Sequence, residues 1–125
     1  MKGIEEYRKN SHHVATNEQL VLRAFEKAIS LMWAVHEKLE EGDKVACIQD
    51  LHHIRTIVSE LLSCLDHEEG GELTANLHQL YVFILRELSA AGFEGDISRL
   101  ENAIAVSEQL YEGFFDAFTP KEDRE

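Results

Sequence analysis

Seven histidines and a large excess of carboxylates are the residues of this chain with most scope for chemistry, and in a helical protein that chemistry would be metal binding. A carboxylate-bridged pair of metal ions in a bundle needs Glu-x-x-His pairs projecting from two helices into one core. No Glu-x-x-His occurs in the sequence. The nearest pattern is the single pair Asp50 and His53, while the adjacent His52 and His53 would point about 100° apart on a helix and cannot easily chelate one ion. His36 falls on an apolar stripe, where a hydrogen-bonded core or edge histidine is the simpler reading. Cys47 and Cys64 would sit roughly 25 Å apart if one helix carries both, too far for a disulfide. With no CxxC and no zinc-type Cys/His spacing, they read as reduced thiols acting as small apolar side chains.

Nucleophilic and phosphate chemistry fare no better. The Ser, His and Asp residues fall in helical stretches without the strand-turn-helix elbow that exposes a nucleophile, and spacing alone makes no triad. Gly70-Gly71 precedes a helix, but no Lys-Ser/Thr follows it and no strand leads into it, so it is not a phosphate loop. The carboxylates are scattered over what read as solvated helix exteriors, with no pair singled out for acid-base work. The chain therefore reads as a non-enzyme with no metal and no cofactor. Its 12 Lys and Arg against 24 Asp and Glu give a net charge of −12, which repels nucleic-acid phosphates and anionic membrane surfaces. No apolar run approaches the roughly 20 residues that span a bilayer, and Glu5 and Glu6 fall where a signal peptide would be apolar. A cytoplasmic location is expected.

The elements that would carry these residues are all helices. At 125 residues the chain suits one domain with its own core. Residues 1–15 show no period and read as a loose N-terminal arm; 16–118 read as the bundle and 119–125 as a charged tail. Thr16 with Gln19 forms a capping-box pattern opening helix one, in which Leu22, Phe25, Ile29, Met32, His36 and Leu39 recur at steps of three and four until Gly42. Asp43 caps helix two, whose seam is Cys47, Leu51, Ile54, Val58, Leu61 and Leu65, widened by Ile48, Ile57 and Leu62 and ended by Gly70-Gly71. Helix three carries Leu73, Leu77, Leu80, Ile84 and Leu88 until Gly92. Asp96 caps helix four, with seam Ile97, Leu100, Ile104, Ser107, Tyr111, Phe114 and Phe118. Three-four spacing with short connections predicts an all-α fold, an antiparallel up-down-up-down four-helix bundle.

More apolar surface is present than one seam per helix needs. Tyr81, Val82, Phe83, Ile84 and Leu85 are consecutive and so circle helix three, and Ile48, Ile57, Phe114, Phe115 and Phe118 extend the excess. A wide-arced core accounts for any one of them; as a set they suit a docking surface for another protein.

At the second interhelical turn the string Leu65-Asp66-His67-Glu68-Glu69-Gly70-Gly71-Glu72-Leu73, continuing through Asn76-Leu77, Leu80-Tyr81, Phe83 and Leu88, resembles the signature of the FliS family of flagellin-specific export chaperones. The likeness extends to Tyr7, Asn10-Ser11 and Ala15 in the arm, to Glu18 through Leu22, Phe25-Glu26 and Ala28-Ile29 in helix one, to Glu60-Leu61, and to Asp96, Leu100, Ile104 and Leu110. It covers the chain from Tyr7 to about Phe118. The resemblance implies a chaperone that holds the C-terminal segment of flagellin in the cytoplasm, prevents premature polymerisation and aids type III export, with other flagellar export proteins as further candidate partners. It places Tyr7 as an arm residue that lies over the client groove, and Ile54, Ile57, Leu61, Leu77 and Tyr81 in the region offered to the client. Leu61 and Leu77 also suit ordinary core. The chain departs from the family pattern at Asn17, where a proline is usual, at His53-Ile54-Arg55, where Lys-Ala-Gln is favoured, and at Phe114, which replaces a tryptophan. The second departure alters the expected groove wall. A general helical adaptor or self-associating bundle using the same apolar surplus is the competing reading.

Overall fold

The computed structural model of the protein describes residues 17–119; Tyr7, Thr16 and the tail after Thr119 lie outside the described residues. Four long helices follow one another: α1 (Asn17–Glu40), α2 (Ile48–Ser63, entered through a 3-10 turn, Val45–Cys47), α3 (His67–Glu94) and α4 (Ile97–Phe118). No strand occurs among the described residues. Each helix packs on the next and α4 closes the ring against α1. The cross-links between α1 and α4 run in opposite numerical sense: Glu26 meets Tyr111 while His36 meets Glu101. This is the antiparallel four-helix bundle that the three-four spacing predicts.

The helix ends show why the chain turns where it does. Gly42 at φ 78° closes α1, with Gly42 N donating to Leu39 O at 3.0 Å and Asp43 N to Lys38 O at 3.0 Å, the paired reversal that satisfies the last carbonyls. Asp43 then accepts from Ala46 N at 3.0 Å, and Lys38 Nζ donates to Asp50 Oδ2 at 2.6 Å across the same turn, tying α1 to α2. Asp96 caps α4 through Ser98 N at 3.0 Å.

Two boundaries differ from the sequence expectation. Helix two ends at Ser63 rather than at Gly70-Gly71, because Asp66 accepts from Glu68 N and Glu69 N and starts a new helix whose acidic first turn suits the positive end of its dipole. Gly71, at φ 55° and ψ −131°, is a kink inside α3 and not a terminus; a side chain there would be strained. Helix three continues past Gly92 to Glu94. Gly92 is instead the point of close approach to α2, since a Cβ there would lie 2.8 Å from Leu51 Cδ1.

The core runs the length of the bundle through Phe25, Met32 and Val35 of α1, Leu51 and Ile54 of α2, Ile84 and Leu88 of α3, and Leu100 and Ile104 of α4. On α3 Ile84 and Leu88 face inward as expected, but the first part of the stripe lies one residue from its expected phase. Thr74, Tyr81, Ile84, Leu88 and Ala91 face inward, whereas Leu73 and Leu80 are exposed. The Tyr81 ring stacks obliquely on Phe25, with centroids 6.1 Å apart, and Phe25 in turn meets Phe114 at 5.5 Å, so an aromatic cluster fills the end of the bundle near Asn17. Burying the larger ring rather than Leu80 sets the rotation of this part of α3. The run 81–85 is therefore not free surface: Tyr81 and Ile84 are buried and the other three half-buried. Exposed apolar area lies elsewhere, on Leu20, Trp33, Val45, Ile48, Leu73, Phe93 and Phe115.

Candidate functional site

At the end of the bundle where Asn17 begins α1, the first two turns of that helix and the last two turns of α2 line a trough of about 550 Å³. Leu20, Val21 and Ala24 form one wall and Ile57, Leu61 and Cys64 the other, with Asn17 and Glu60 at the polar margin. Both walls follow from helical spacing. Residues 57, 61 and 64 share one edge of α2, and 20, 21 and 24 form a second apolar stripe on α1 beside its core stripe. Leu20 is 51 % exposed, while Val21, Ile57 and Leu61 are half-buried, so the floor is apolar and open to solvent. Polar groups that could orient a reacting substrate do not converge on it. What such a furrow can do is cover the apolar face of another chain.

The residues that the sequence singled out separate into three groups. Ile57 and Leu61 line the trough. Ile54 and Tyr81 are in the core, at 0 % and 2 % exposure, and Leu77 is half-buried against it. Tyr7 lies outside the described residues. Burial pushes the Tyr81 hydroxyl up to about 12, helped by the neighbouring Cys64 thiol, so the tyrosine is neutral throughout the physiological range. Leu20, Val21, Ala24 and Cys64 complete the trough and were not picked out in advance. The signal that finds them is the apolar spacing of Leu20 with Ala24, which runs parallel to the Leu22 and Phe25 seam and was masked by it.

The cysteines differ from their expected equivalence. Both are free thiols, but Cys47 is buried, its Sγ donating to Asp43 O at 3.4 Å, whereas Cys64 is exposed on the trough wall. Burial raises the Cys47 thiol above its ordinary value, which keeps it protonated and inert. Among the described residues no three His, Cys, Asp or Glu side chains are grouped to hold a metal ion. Asp50, half of the Asp50 and His53 pair, is engaged by Lys38. His67 and His78 meet edge to face at 5.4 Å beside the kink, a pair without a third ligand. No helix among the described residues is long and apolar enough to cross a membrane.

Comparison with known proteins finds relatives over most of the chain. The family model described as flagellar protein FliS matches residues 1–121. A flagellar secretion chaperone FliS of Salmonella typhimurium is 31% identical over 101 residues, which span 80% of this chain and 75% of that protein. One from Vibrio cholerae is 28% identical over 120 residues, 88% of this chain and 85% of the relative. A third, from Campylobacter jejuni, is 24% identical over 108 residues, covering 86% and 84% of the two chains.

Proposed function

Because the chain belongs to the FliS family of flagellar proteins, we propose that it is a cytoplasmic flagellar secretion chaperone whose client is the C-terminal segment of flagellin. Holding that segment would prevent premature polymerisation and keep the subunit ready for type III export. The observation that carries the reading is the open apolar trough between α1 and α2, built from Leu20, Val21, Ala24, Ile57, Leu61 and Cys64. A client that is disordered alone and helical when assembled has apolar faces to cover, and it can fold onto such a furrow. Its affinity would come from the area it buries, offset by the cost of ordering it.

In this reading Ile57 and Leu61 touch the client directly, while Ile54, Leu77 and Tyr81 support the trough from beneath. Tyr7 would belong to a lid that flagellin displaces, a role that rests on the family resemblance alone. Titration of the protein with a peptide of the flagellin C-terminus should show 1:1 binding at micromolar concentration or tighter. Leu20→Asp and Ile57→Asp should each weaken it at least about tenfold, roughly 1.4 kcal/mol. The exposed Leu20 makes the first variant a clean probe, with helix content and melting close to those of the parent. Absence of binding at high peptide concentration would remove flagellin as the client and favour the adaptor or self-associating bundle.

A further inference from the structure

The opposite flank of α1 carries a second furrow of different chemistry. Here α1 and α4 are cross-linked at two levels: Tyr111 Oη donates to Glu26 Oε1 at 3.2 Å, and His36 Nε2 stands 3.6 Å from Glu101 Oε2. Between and beyond these ties lies an open groove of about 540 Å³ with Ile29, Tyr111 and Phe115 as its floor. Its rim bears Glu26, Glu108 and Glu112, and among the described residues no lysine or arginine lines it. Phe115 is 40 % exposed, and Trp33, one turn along α1 from Ile29, is 47 % exposed.

We infer that this groove is a docking site for a cationic amphipathic helix of another protein, distinct from the occupant of the α1/α2 trough. An apolar stripe on such a helix covers Ile29, Tyr111 and Phe115, while lysines or arginines on its flanks meet the three glutamates. The charge selects among occupants. A second copy of this chain would bring acidic rim against acidic rim in a molecule already at −12, and an anionic lipid surface meets the same repulsion. The trough beside Ile57 lacks this feature, having Glu60 as its one charged lining residue.

The test uses the full chain and two synthetic peptides with the same three-four leucine stripe, one with lysine at the flanking positions and one with glutamate. Anisotropy of labelled peptide measures binding, and the emission of Trp33, the chain's single tryptophan, locates it. The lysine peptide should bind saturably at 1:1 and shift the Trp33 emission, and the glutamate peptide should not bind. Glu108→Lys with Glu112→Lys should weaken the lysine peptide at least about tenfold, whereas Glu72→Lys with Glu94→Lys, the same charge change at exposed positions of α3, should alter it less than about twofold. Ile57→Asp should leave this binding unchanged, which separates its outcome from that of the flagellin titration. Equal losses in the two double variants would reduce the effect to net charge and overturn the assignment, as would equal binding of the glutamate peptide. Sedimentation showing dimers that the Glu108/Glu112 variant abolishes would also overturn it, by assigning the groove to a second copy.

Discussion

Ser107 sits in the heart of the bundle at 1 % exposure, and its Oγ is the one buried side-chain polar atom among the described residues without a hydrogen-bond partner. A hydroxyl held away from water and unpaired costs free energy that an apolar group of similar size does not. Replacing it by alanine removes that cost, leaves a void of less than one methyl group, and puts the best helix former at a helix-interior position. Ser107→Ala should therefore stabilise the protein by about 1 kcal/mol in urea unfolding. A loss of stability of the same size would mean that the hydroxyl is satisfied in solution. The buried carboxylate Glu87 is the contrasting case: at 5 % exposure it accepts from Arg99 Nη1 at 3.0 Å, so α3 and α4 share a charge that is paired. The sequence placed Ser107 on an inward seam correctly, but nothing in the spacing distinguished Glu87 from the solvated glutamates around it. That distinction depends on Arg99 reaching across from another helix.

At the scale of the element, the start of α4 is a pH-sensitive cap. The Ser98 hydroxyl donates to Asp96 Oδ1 at 2.6 Å and Ser98 N at 3.0 Å, and these bonds hold the Asp96 carboxyl below its ordinary value. A depressed acid stabilises the fold fully above its unfolded value, about pH 4, and that contribution is lost as pH falls through the lower folded value. Asp96→Asn keeps a good cap without the titration. The melting-temperature difference between parent and variant should be constant above about pH 5 and should shift against the parent below about pH 4, the other carboxylates cancelling in the comparison. A difference independent of pH would show that the cap contributes no proton linkage. Much of this level was legible in the chain: Asp43, Asp96 and Gly42 mark their turns by residue type, and the α4 seam has unbroken three-four spacing, whereas on α1 Phe25, Met32 and Leu39 are buried as expected but Ala28 and Val35 take the inward places of Ile29 and His36. The first part of helix three was not, because five successive apolar residues leave its phase open there, and it is Phe25, from another helix, that meets Tyr81 as the inward one. The α2/α3 turn was misread for a local reason, since an apolar Leu65 continues the seam and hides the cap at Asp66. The trough was half visible: Ile57 and Leu61 stood out on α2, but its α1 wall depends on which face of α1 meets α2, which the spacing within α1 does not fix.

The whole molecule carries a net charge of −12, the four helices all present carboxylates outward, and among the described residues few cations answer them across helices. Lys38 with Asp50 and Arg99 with Glu87 are such ties. Self-repulsion of this kind destabilises the compact state, while exposed ion pairs contribute little, so screening should help the fold more than it harms it. At low ionic strength the Debye length is about 30 Å, enough for carboxylates on opposite flanks of the bundle to feel one another; near physiological strength it is about 8 Å and they do not. Sodium chloride between about 0.01 and 0.15 M should accordingly raise the melting temperature, with most of the gain at the low end where the screening length changes fastest. Chloride rather than sulfate is the salt to use, because sulfate would also strengthen apolar burial and confuse the two effects. The Glu108→Lys, Glu112→Lys protein, four charges closer to neutral, should gain less from the same salt. A melting temperature that falls as salt is added would mean that the cross-helix ion pairs outweigh the repulsion, and that the acidic rim of the α1/α4 groove is held together by the fold at no electrostatic cost.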